Sequence, residues 1–278
     1  MGDPASRFTH GAPRLHYLEW RAGRTPTLIA LHGNSANAWW WRPIAEALGD
    51  GSPRLIALDQ RGHGDSEWVR PPAYAPKHYA ADLDRLIADL AIDRPIIVGH
   101  SMGGMSALAF GVAYPRRAAA IVVIDSAITS TDRRNRFLRR LQSLPFVNYP
   151  DLETALARFR LMPREGDIAP QILAEIARQS LAPAADGRWS MKFDRESFFG
   201  SDGIDVAAAI AQVEIPILLI RAAQSRIMMA EAAERAVASN PKARLVTIPN
   251  AHHHVILERP AEVAAALADF IRRLAAPA

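Results

Sequence analysis

Short runs of mainly apolar residues alternate with amphipathic stretches along most of this chain. The apolar runs are Thr27–Leu31, Leu55–Leu58, a run that begins at Pro95, Ala120–Asp125, Ile215–Ile220 and Arg244–Ile248. Strands that are apolar on successive residues are typical of parallel sheets, because helices cover both faces. Helical patterns follow five of these runs, at Ala38–Leu48, Lys77–Leu90, Met102–Tyr114, Ala230–Ala238 and Pro260–Leu274. The alternation predicts an α/β fold with a doubly wound, mainly parallel sheet.

Two segments depart from this alternation. Near the N-terminus, Arg7–His10 and Leu15–Trp20 flank a Gly-Ala-Pro turn, which predicts a hairpin ahead of the parallel strands. Residues 127–213 contain mostly helical patterns, at Asp132–Leu144, Leu152–Leu161 and Pro170–Leu181. We therefore predict one core, made of residues 1–126 and 214–278, with a helical insertion at 127–213.

A candidate nucleophile lies where the Pro95 strand runs directly into a predicted helix, in the sequence Gly99-His100-Ser101-Met102-Gly103. The two glycines lack Cβ atoms, so strand and helix can approach closely while Ser101 takes a strained backbone conformation. The helix N-terminus behind Ser101 offers unpaired N–H groups and a partial positive charge. An oxyanion formed at Ser101 would be stabilised there. A Gly-x-Ser-x-Gly turn alone is weak evidence for a nucleophile, so the other turns of the chain must be considered with it.

Three further turns supply that context. His32-Gly33-Asn34 follows the Thr27 strand, Asp59 to Ser66 follows the Leu55 strand, and Asn250 to His254 follows the last strand. In this order, the four segments resemble the α/β-hydrolase superfamily over nearly the whole chain. The resemblance implies the α/β-hydrolase fold with a mainly parallel eight-stranded sheet and helices on both faces. It also implies that residues 127–213 form a helical lid over the C-terminal edge of the sheet, and that the activity is that of a serine esterase.

A reactive serine needs a base beside it, and nine histidines are available. The superfamily pattern Gly-His-x-x-x-x-Glu-x-Pro implies that His253, seven residues before Pro260, carries the catalytic imidazole. His252 and His254 flank it, and a triple histidine also suggests zinc. Consecutive loop residues seldom aim at one ion, and no carboxylate or thiolate ligand pattern accompanies them. We expect no metal and no organic cofactor.

The acid that would orient His253 departs from the superfamily pattern. Relatives normally carry an Asp a few residues beyond the strand that is spelled Ile215–Ile220 here, but Arg226 occupies that place. A cation beside His253 would disfavour the imidazolium. Some branches of the superfamily place the acid at the end of the preceding core strand, which implies Asp125 and keeps the order nucleophile, acid, histidine. An Asp at this point is also a common strand-end cap. The lesser alternatives are Asp59, at the end of another strand, and Glu231, inside a predicted helix.

The remaining site residues concern the oxyanion and the substrate. The backbone N–H groups of Asn34 and Met102 lie at the two turns that would face a developing oxyanion, and we predict that they bind it. The substrate-binding candidates are Trp39, Trp40, His100 and Phe137. Three successive tryptophans cannot all face the core, so we expect one of them to line the pocket.

Composition adds limits. The 278 residues are 49% hydrophobic, enough for a full core, and no apolar stretch approaches the roughly 20 residues of a membrane span. The first residues lack the basic and apolar regions of a secretory signal, and we expect a cytoplasmic protein. The chain has no cysteine, which excludes disulfides and a thiol nucleophile.

The net charge of +4 comes with one arginine cluster, between 133 and 140. Its spacing predicts an amphipathic helix whose charged face is either solvated or attracts anionic substrates. We predict no nucleic-acid binding, because the chain is far from strongly basic and has no recognition motif.

These observations predict a serine hydrolase that cleaves a small-to-medium carboxylic ester or lactone through an acyl-enzyme. Serine at the elbow argues against haloalkane dehalogenases and epoxide hydrolases, which use Asp there. Hydrolysis of carbon–carbon bonds in ring-cleavage products and perhydrolysis stay open as alternatives. From another class, the chain could be a degenerate ligand-binding protein in which Arg226 marks lost catalysis. A small-molecule substrate is the one partner that we predict.

Overall fold

The fold is built on a central sheet. The computed structural model describes residues 2–129, 147–201 and 204–275, together with the single residues 136, 140 and 143. Its strands are β1 (Ala5–Phe8), β2 (His16–Trp20), β3 (Thr27–Leu31), β4 (Arg54–Leu58), β5 (Ile96–His100), β6 (Ala120–Ile124), β7 (Leu181–Pro183), β8 (Trp189–Met191), β9 (Ile217–Ala222) and β10 (Ala243–Ile248). The eight-stranded sheet has the order β1-β2-β4-β3-β5-β6-β9-β10. Strands β1 and β2 pair antiparallel, and the other six are parallel to one another. The predicted fold class is confirmed.

Helices cover both faces of this sheet. The α-helices span Arg42–Leu48, Pro76–Asp89, Met102–Ala113, Leu152–Arg158, Pro170–Gln179, Val206–Gln212, Ala230–Ala238, Val255–Glu258 and Pro260–Ala275, and 3-10 helices span Ala38–Trp41 and Arg195–Ser201. Alternate residues of β3 point to opposite faces: Ile29 and Leu31 join one buried cluster, and Leu28 and Ala30 join the other. Every residue of β3, β5 and β6 is buried, as expected for parallel strands between two helical layers.

Local chemistry explains where the element bounds differ from the sequence prediction. The Ile215 strand starts two residues later, at Ile217, because Pro216 has no N–H to donate to the ladder. The helix predicted from Ala38 begins as a 3-10 turn, and its α-helical part starts at Arg42 with Pro43 in the first turn. The helix predicted at Asp132–Leu144 lies almost wholly outside the described residues.

The segment at 127–213 carries more than helices. Strands β7 and β8 form an antiparallel hairpin that the helical patterns did not indicate. The hairpin is tied to the core, because the N–H of Gly64 donates to the Lys192 carbonyl at 2.7 Å and the N–H of Asp194 donates to the Gly62 carbonyl at 2.7 Å. Core and segment therefore meet at the turn that follows β4. In the part of the chain that the structure describes, no helix is long and apolar enough to cross a membrane.

Strand β5 packs closely against the helix that follows it. A Cβ built on Gly99 would lie 2.2 Å from the Gly103 carbonyl oxygen, and one built on Gly103 would lie 2.2 Å from the Leu31 carbonyl oxygen. These obstacles are backbone atoms, which cannot swing aside as a flexible side chain can. Glycine is therefore required at both positions.

We predict that Gly103→Ala lowers the free energy of unfolding by at least about 2 kcal/mol, because the helix must move away from β3 and β5 to admit the methyl group. Urea denaturation measures the loss. Gly51→Ala is the matched control, because a Cβ at Gly51 meets no atom within 4 Å. Equal stability of the two variants would contradict the close packing.

Candidate active site

Ser101 sits at the sharp turn between β5 and the helix Met102–Ala113. Its backbone has φ 54° and ψ −115°, the strained conformation predicted for this turn. Three hydrogen bonds hold it: the Ser101 N–H donates to the Ile124 carbonyl at 2.9 Å, and the Ser101 carbonyl accepts from the Gly104 N–H at 3.0 Å and the Ser126 hydroxyl at 2.6 Å. The strained conformation is thus fixed by neighbouring strand and helix atoms, and it presents the hydroxyl to a cavity.

His253 reaches this hydroxyl from the loop after β10. Its Nε2 lies 3.1 Å from the Ser101 Oγ. The loop is held from the other side, because the His100 Nε2–H donates to the His253 carbonyl at 2.8 Å. His253 is buried. Two residues that are 152 positions apart are therefore in hydrogen-bond contact.

Asp125 completes a chain of hydrogen bonds at the end of β6. Its Oδ2 accepts from the His253 Nδ1 at 2.8 Å and from the Ser225 hydroxyl, and its Oδ1 accepts from the Ala222 N–H at 3.2 Å. Burial raises the pKa of this carboxyl to about 6, against the opposing effect of the Ser225 and Ala222 donors. With Nδ1–H donated to Asp125, the other nitrogen of His253 faces Ser101 as an acceptor.

The other histidines of the triple sequence have separate partners. The His254 Nε2–H donates to the Pro163 carbonyl at 3.0 Å, and His252 lies against Glu258, with Nδ1 3.2 Å from Oε2. Burial lowers the pKa of His254 to about 3, so its ring is neutral. The three rings therefore do not converge on a shared ion.

The lesser acid candidates lie elsewhere. Asp59 accepts from His16 Nδ1 at 2.7 Å, from the Ala38 N–H at 2.6 Å and from the Asp65 N–H at 2.9 Å. Among the described residues, His16, Asp59 and Asp65 are the one group spaced closely enough to share a metal ion, and these hydrogen bonds already occupy the Asp59 carboxylate. Glu231 is exposed in the first turn of the helix Ala230–Ala238.

The place where relatives carry their acid holds Ser225 and Arg226. The Arg226 side chain is exposed, whereas Ser225 is buried and donates its hydroxyl to Asp125. The same hydroxyl accepts from the Ile227 N–H at 3.0 Å, which fixes its orientation. Ser225 was not predicted as a site residue, because a serine in a loop gives no signal of its own. A polar side chain at this place therefore contacts the carboxylate that follows β6.

Asn34 and Met102 both line the cavity beside Ser101. Within the described residues, no protein acceptor takes either backbone N–H. The Asn34 loop is fixed by His32, whose Nδ1–H donates to the Gly33 carbonyl at 2.7 Å and whose Nε2 accepts from the Gln60 N–H at 3.0 Å. Burial lowers the pKa of His32, which keeps this bridging ring neutral. Two fixed donors are thus available near the hydroxyl.

The cavity has a volume of about 620 Å³, within the range of small-molecule sites. Trp40 and His100 line it, as expected. Trp39 does not line the cavity, because successive side chains of a 3-10 helix point about 120° apart and Trp40 is the one that faces it. Trp39 is half-buried, and the Arg42 guanidinium lies 5.8 Å from the centre of the Trp39 ring. Phe137 lies outside the described residues.

The fold and the site define a class of protein: an α/β sheet whose strand ends bring a hydroxyl, an imidazole and a carboxylate into one hydrogen-bonded chain. Residues 28–266 match the model of the alpha/beta hydrolase family. The chain belongs to this family, and the predicted superfamily is confirmed.

Relatives of this chain differ in what they hydrolyse. It is 28% identical to 2-(acetamidomethylene)succinate hydrolase of Mesorhizobium japonicum over 268 residues, which cover 90% of this chain and 89% of that protein. It is 27% identical to epoxide hydrolase A of Mycobacterium tuberculosis, with 99% of each chain covered. A crystal structure of E-2-(acetamidomethylene)succinate hydrolase superposes with a TM-score of 0.85 at 26% identity, covering 97% of this chain and 99% of the other. The family thus establishes hydrolase chemistry and leaves the substrate open.

We predict a strongly downfield imidazole N–H signal in the proton NMR spectrum of the wild-type protein, from the Nδ1–H of His253 that Asp125 accepts. Such signals arise in short, buried, charge-assisted hydrogen bonds. Asp125→Asn should remove this signal. The buried His16–Asp59 pair supplies an internal control, because its own downfield signal should persist in the variant. A spectrum that is unchanged by Asp125→Asn would contradict the contact.

Proposed function

We propose that this protein is a serine hydrolase that cleaves a small-to-medium carboxylic ester or lactone through an acyl-enzyme intermediate. The observation that carries the proposal is the Ser101–His253–Asp125 chain, with distances of 3.1 Å and 2.8 Å, opening on an apolar cavity. The proposed roles are nucleophile, general base and orienting acid.

The proposed reaction has two halves. Ser101 Oγ attacks the ester carbonyl carbon as its proton moves to His253 Nε2, and the carbonyl oxygen becomes an oxyanion that the N–H groups of Asn34 and Met102 bind. The intermediate collapses, the bond from carbon to the leaving oxygen breaks, and His253 returns the proton to the departing alcohol. Water then attacks the acyl-enzyme in the same way, and the carboxylic acid and free Ser101 are released.

We propose that residues 127–213 act as the lid of this site, over a core of residues 1–126 and 214–278. Phe159, Met191 and Phe198 from this segment line the cavity opposite Ser101 and Trp40 of the core. Excluding water here would strengthen the contacts to the oxyanion.

Two features distinguish the alternative functions: the residue type at position 101, and the carboxylate in contact with His253. Serine there supports an acyl-enzyme rather than the alkyl-enzyme ester of epoxide hydrolases, although an epoxide hydrolase is among the relatives. A degenerate binding protein was suggested by Arg226, but that side chain is exposed and Asp125 contacts His253. Carbon–carbon hydrolysis or perhydrolysis would use the same serine and is distinguished by substrate.

We predict that a fluorophosphonate probe labels the wild-type protein and not Ser101→Ala. With p-nitrophenyl butyrate as substrate, Ser101→Ala should reduce turnover to background. Asp125→Asn should leave the Ser101 hydroxyl in place and lower kcat by about 10⁴-fold, because the His253 imidazole loses its orientation.

Ser52→Ala and Asp93→Asn serve as matched controls for these variants, because neither residue lines the cavity. They should keep wild-type labelling and turnover. Folded wild-type protein that resists the probe and cleaves no ester would support the degenerate alternative. Wild-type turnover in Asp125→Asn would exclude that residue from the proposed triad.

We predict that kcat/KM for a neutral ester rises with pH through about 6 and then levels off. Burial raises the pKa of Asp125 to about 6, and below this pH a protonated pair cannot accept the Ser101 proton. The Ser225 hydroxyl stabilises the Asp125 carboxylate, so Ser225→Ala should raise the pKa of Asp125 further and shift the rise in kcat/KM to higher pH. A rise that moves to lower pH in Ser225→Ala would contradict this role, and Ser52→Ala is again the control.

A further inference from the structure

The charged residues that line the cavity are all cationic in the described part of the chain. They are the arginines Arg158, Arg160, Arg164 and Arg195, and no Asp or Glu side chain joins them. All four belong to the 127–213 segment, and none belongs to the 133–140 cluster that the sequence analysis singled out. The charge of this cavity therefore comes from arginines that no motif indicated.

Three of these arginines form what we call the arginine rim: Arg158, Arg160 and Arg164. Their side chains are exposed although they line the cavity, which places them at its mouth. Two contacts fix the backbone between them. Phe159 is buried in the hydrophobic core, and the Pro163 carbonyl accepts from the His254 Nε2–H at 3.0 Å. The rim is thus anchored to the loop that carries His253.

Among the residues that the structure describes, the rim has no counter-ion, whereas other arginines of the fold do. Arg61 pairs with Asp82 at 2.6 Å, and Arg42 pairs with Glu175 at 2.7 Å. By contrast, none of the carboxylates that the structure describes forms an ion pair with the rim, and Arg160 Nη1 donates only to the backbone carbonyls of Ala157 and Phe159. An uncompensated cluster of guanidinium groups attracts anions and binds carboxylate or phosphate in bidentate geometry.

Apart from the arginines, the cavity is lined mainly by apolar side chains. Met105, Phe193 and Phe198 are among the residues that line it, and they offer contact area rather than hydrogen bonds. A ligand that fits both regions has an uncharged chain near Ser101 and an anionic group at the far end.

We propose that the substrates of this site are esters that carry an oxyanion, a carboxylate or a phosphate, at the end remote from the scissile bond, and that the arginine rim binds this group. The proposal rests on the serine hydrolase function above and adds the substrate class. It makes Arg158 and Arg164 binding residues, with no part in the bond-breaking steps.

The kinetic test compares two esters of equal chain length, p-nitrophenyl octanoate and mono-p-nitrophenyl suberate, which differ in the terminal carboxylate. The measured quantity is the ratio of kcat/KM for suberate to kcat/KM for octanoate. This ratio should fall at least tenfold in Arg158→Ala/Arg164→Ala, mainly through KM, and it should fall with ionic strength in the wild-type protein. Arg178→Ala should keep the wild-type ratio, because that exposed arginine does not line the cavity. Equal ratios in all three proteins would overturn the proposal.

A binding test separates this proposal from the proposed chemistry. Calorimetric titration of Ser101→Ala with suberate and with octyl phosphate should detect at least one of them, and adding the two arginine substitutions should weaken that binding at least fivefold. The preferred probe identifies the anion as carboxylate or phosphate. Anion binding that depends on the rim, in a protein whose wild type cleaves neither ester, would support the rim and contradict the esterase. Octanoate cleavage with no anion binding would support the esterase and overturn the rim.

Discussion

The close approach of β5 and the helix after it is the constraint on which the rest of this structure depends. Gly99 and Gly103 leave no room for a Cβ between strand and helix, and the backbone makes the turn with Ser101 at φ 54°. That conformation lifts the hydroxyl out of the turn and aims the first N–H groups of the helix at the same space. A serine in an ordinary loop would have neither the exposure nor the fixed donors.

Parallel pairing brings the partners of Ser101 to it. The carboxyl ends of β5, β6 and β10 lie at one edge of the sheet, so residues 101, 125 and 253 meet although they are far apart in sequence. Strand β9 pairs with β6, and the loop after β9 therefore borders Asp125. The two positions considered for the acid in the sequence analysis therefore lie side by side. A carboxylate at the end of β6 receives the Ala222 N–H and the Ser225 hydroxyl from the neighbouring strand end.

The sequence was sufficient to predict those parts of the structure that depend on the order of the strands. Apolar runs and turn residues predicted the sheet and the turn at Ser101, and the resemblance to the superfamily pattern, through the spacing to Pro260, implied His253 among nine histidines. Trp39 and Ser225 show the limit. Which of three tryptophans faces the cavity depends on a 3-10 turn that propensity does not reveal, and a hydroxyl that supports Asp125 is known only once β6 and β9 are seen side by side.

The division of work between core and insertion explains why chemistry is easier to infer than substrate. Ser101 and Asp125 directly follow β5 and β6, which pair with strands on both sides, and hydrogen bonds with His100 and Asp125 hold His253 in the loop after β10. The charged groups that we propose to select a ligand come from residues 158–195, where helices, a short hairpin and loops follow no repeating pattern. Arginine positions there can change without disturbing the sheet. Proteins that share this fold can therefore act on different substrates, as the names of the relatives above indicate.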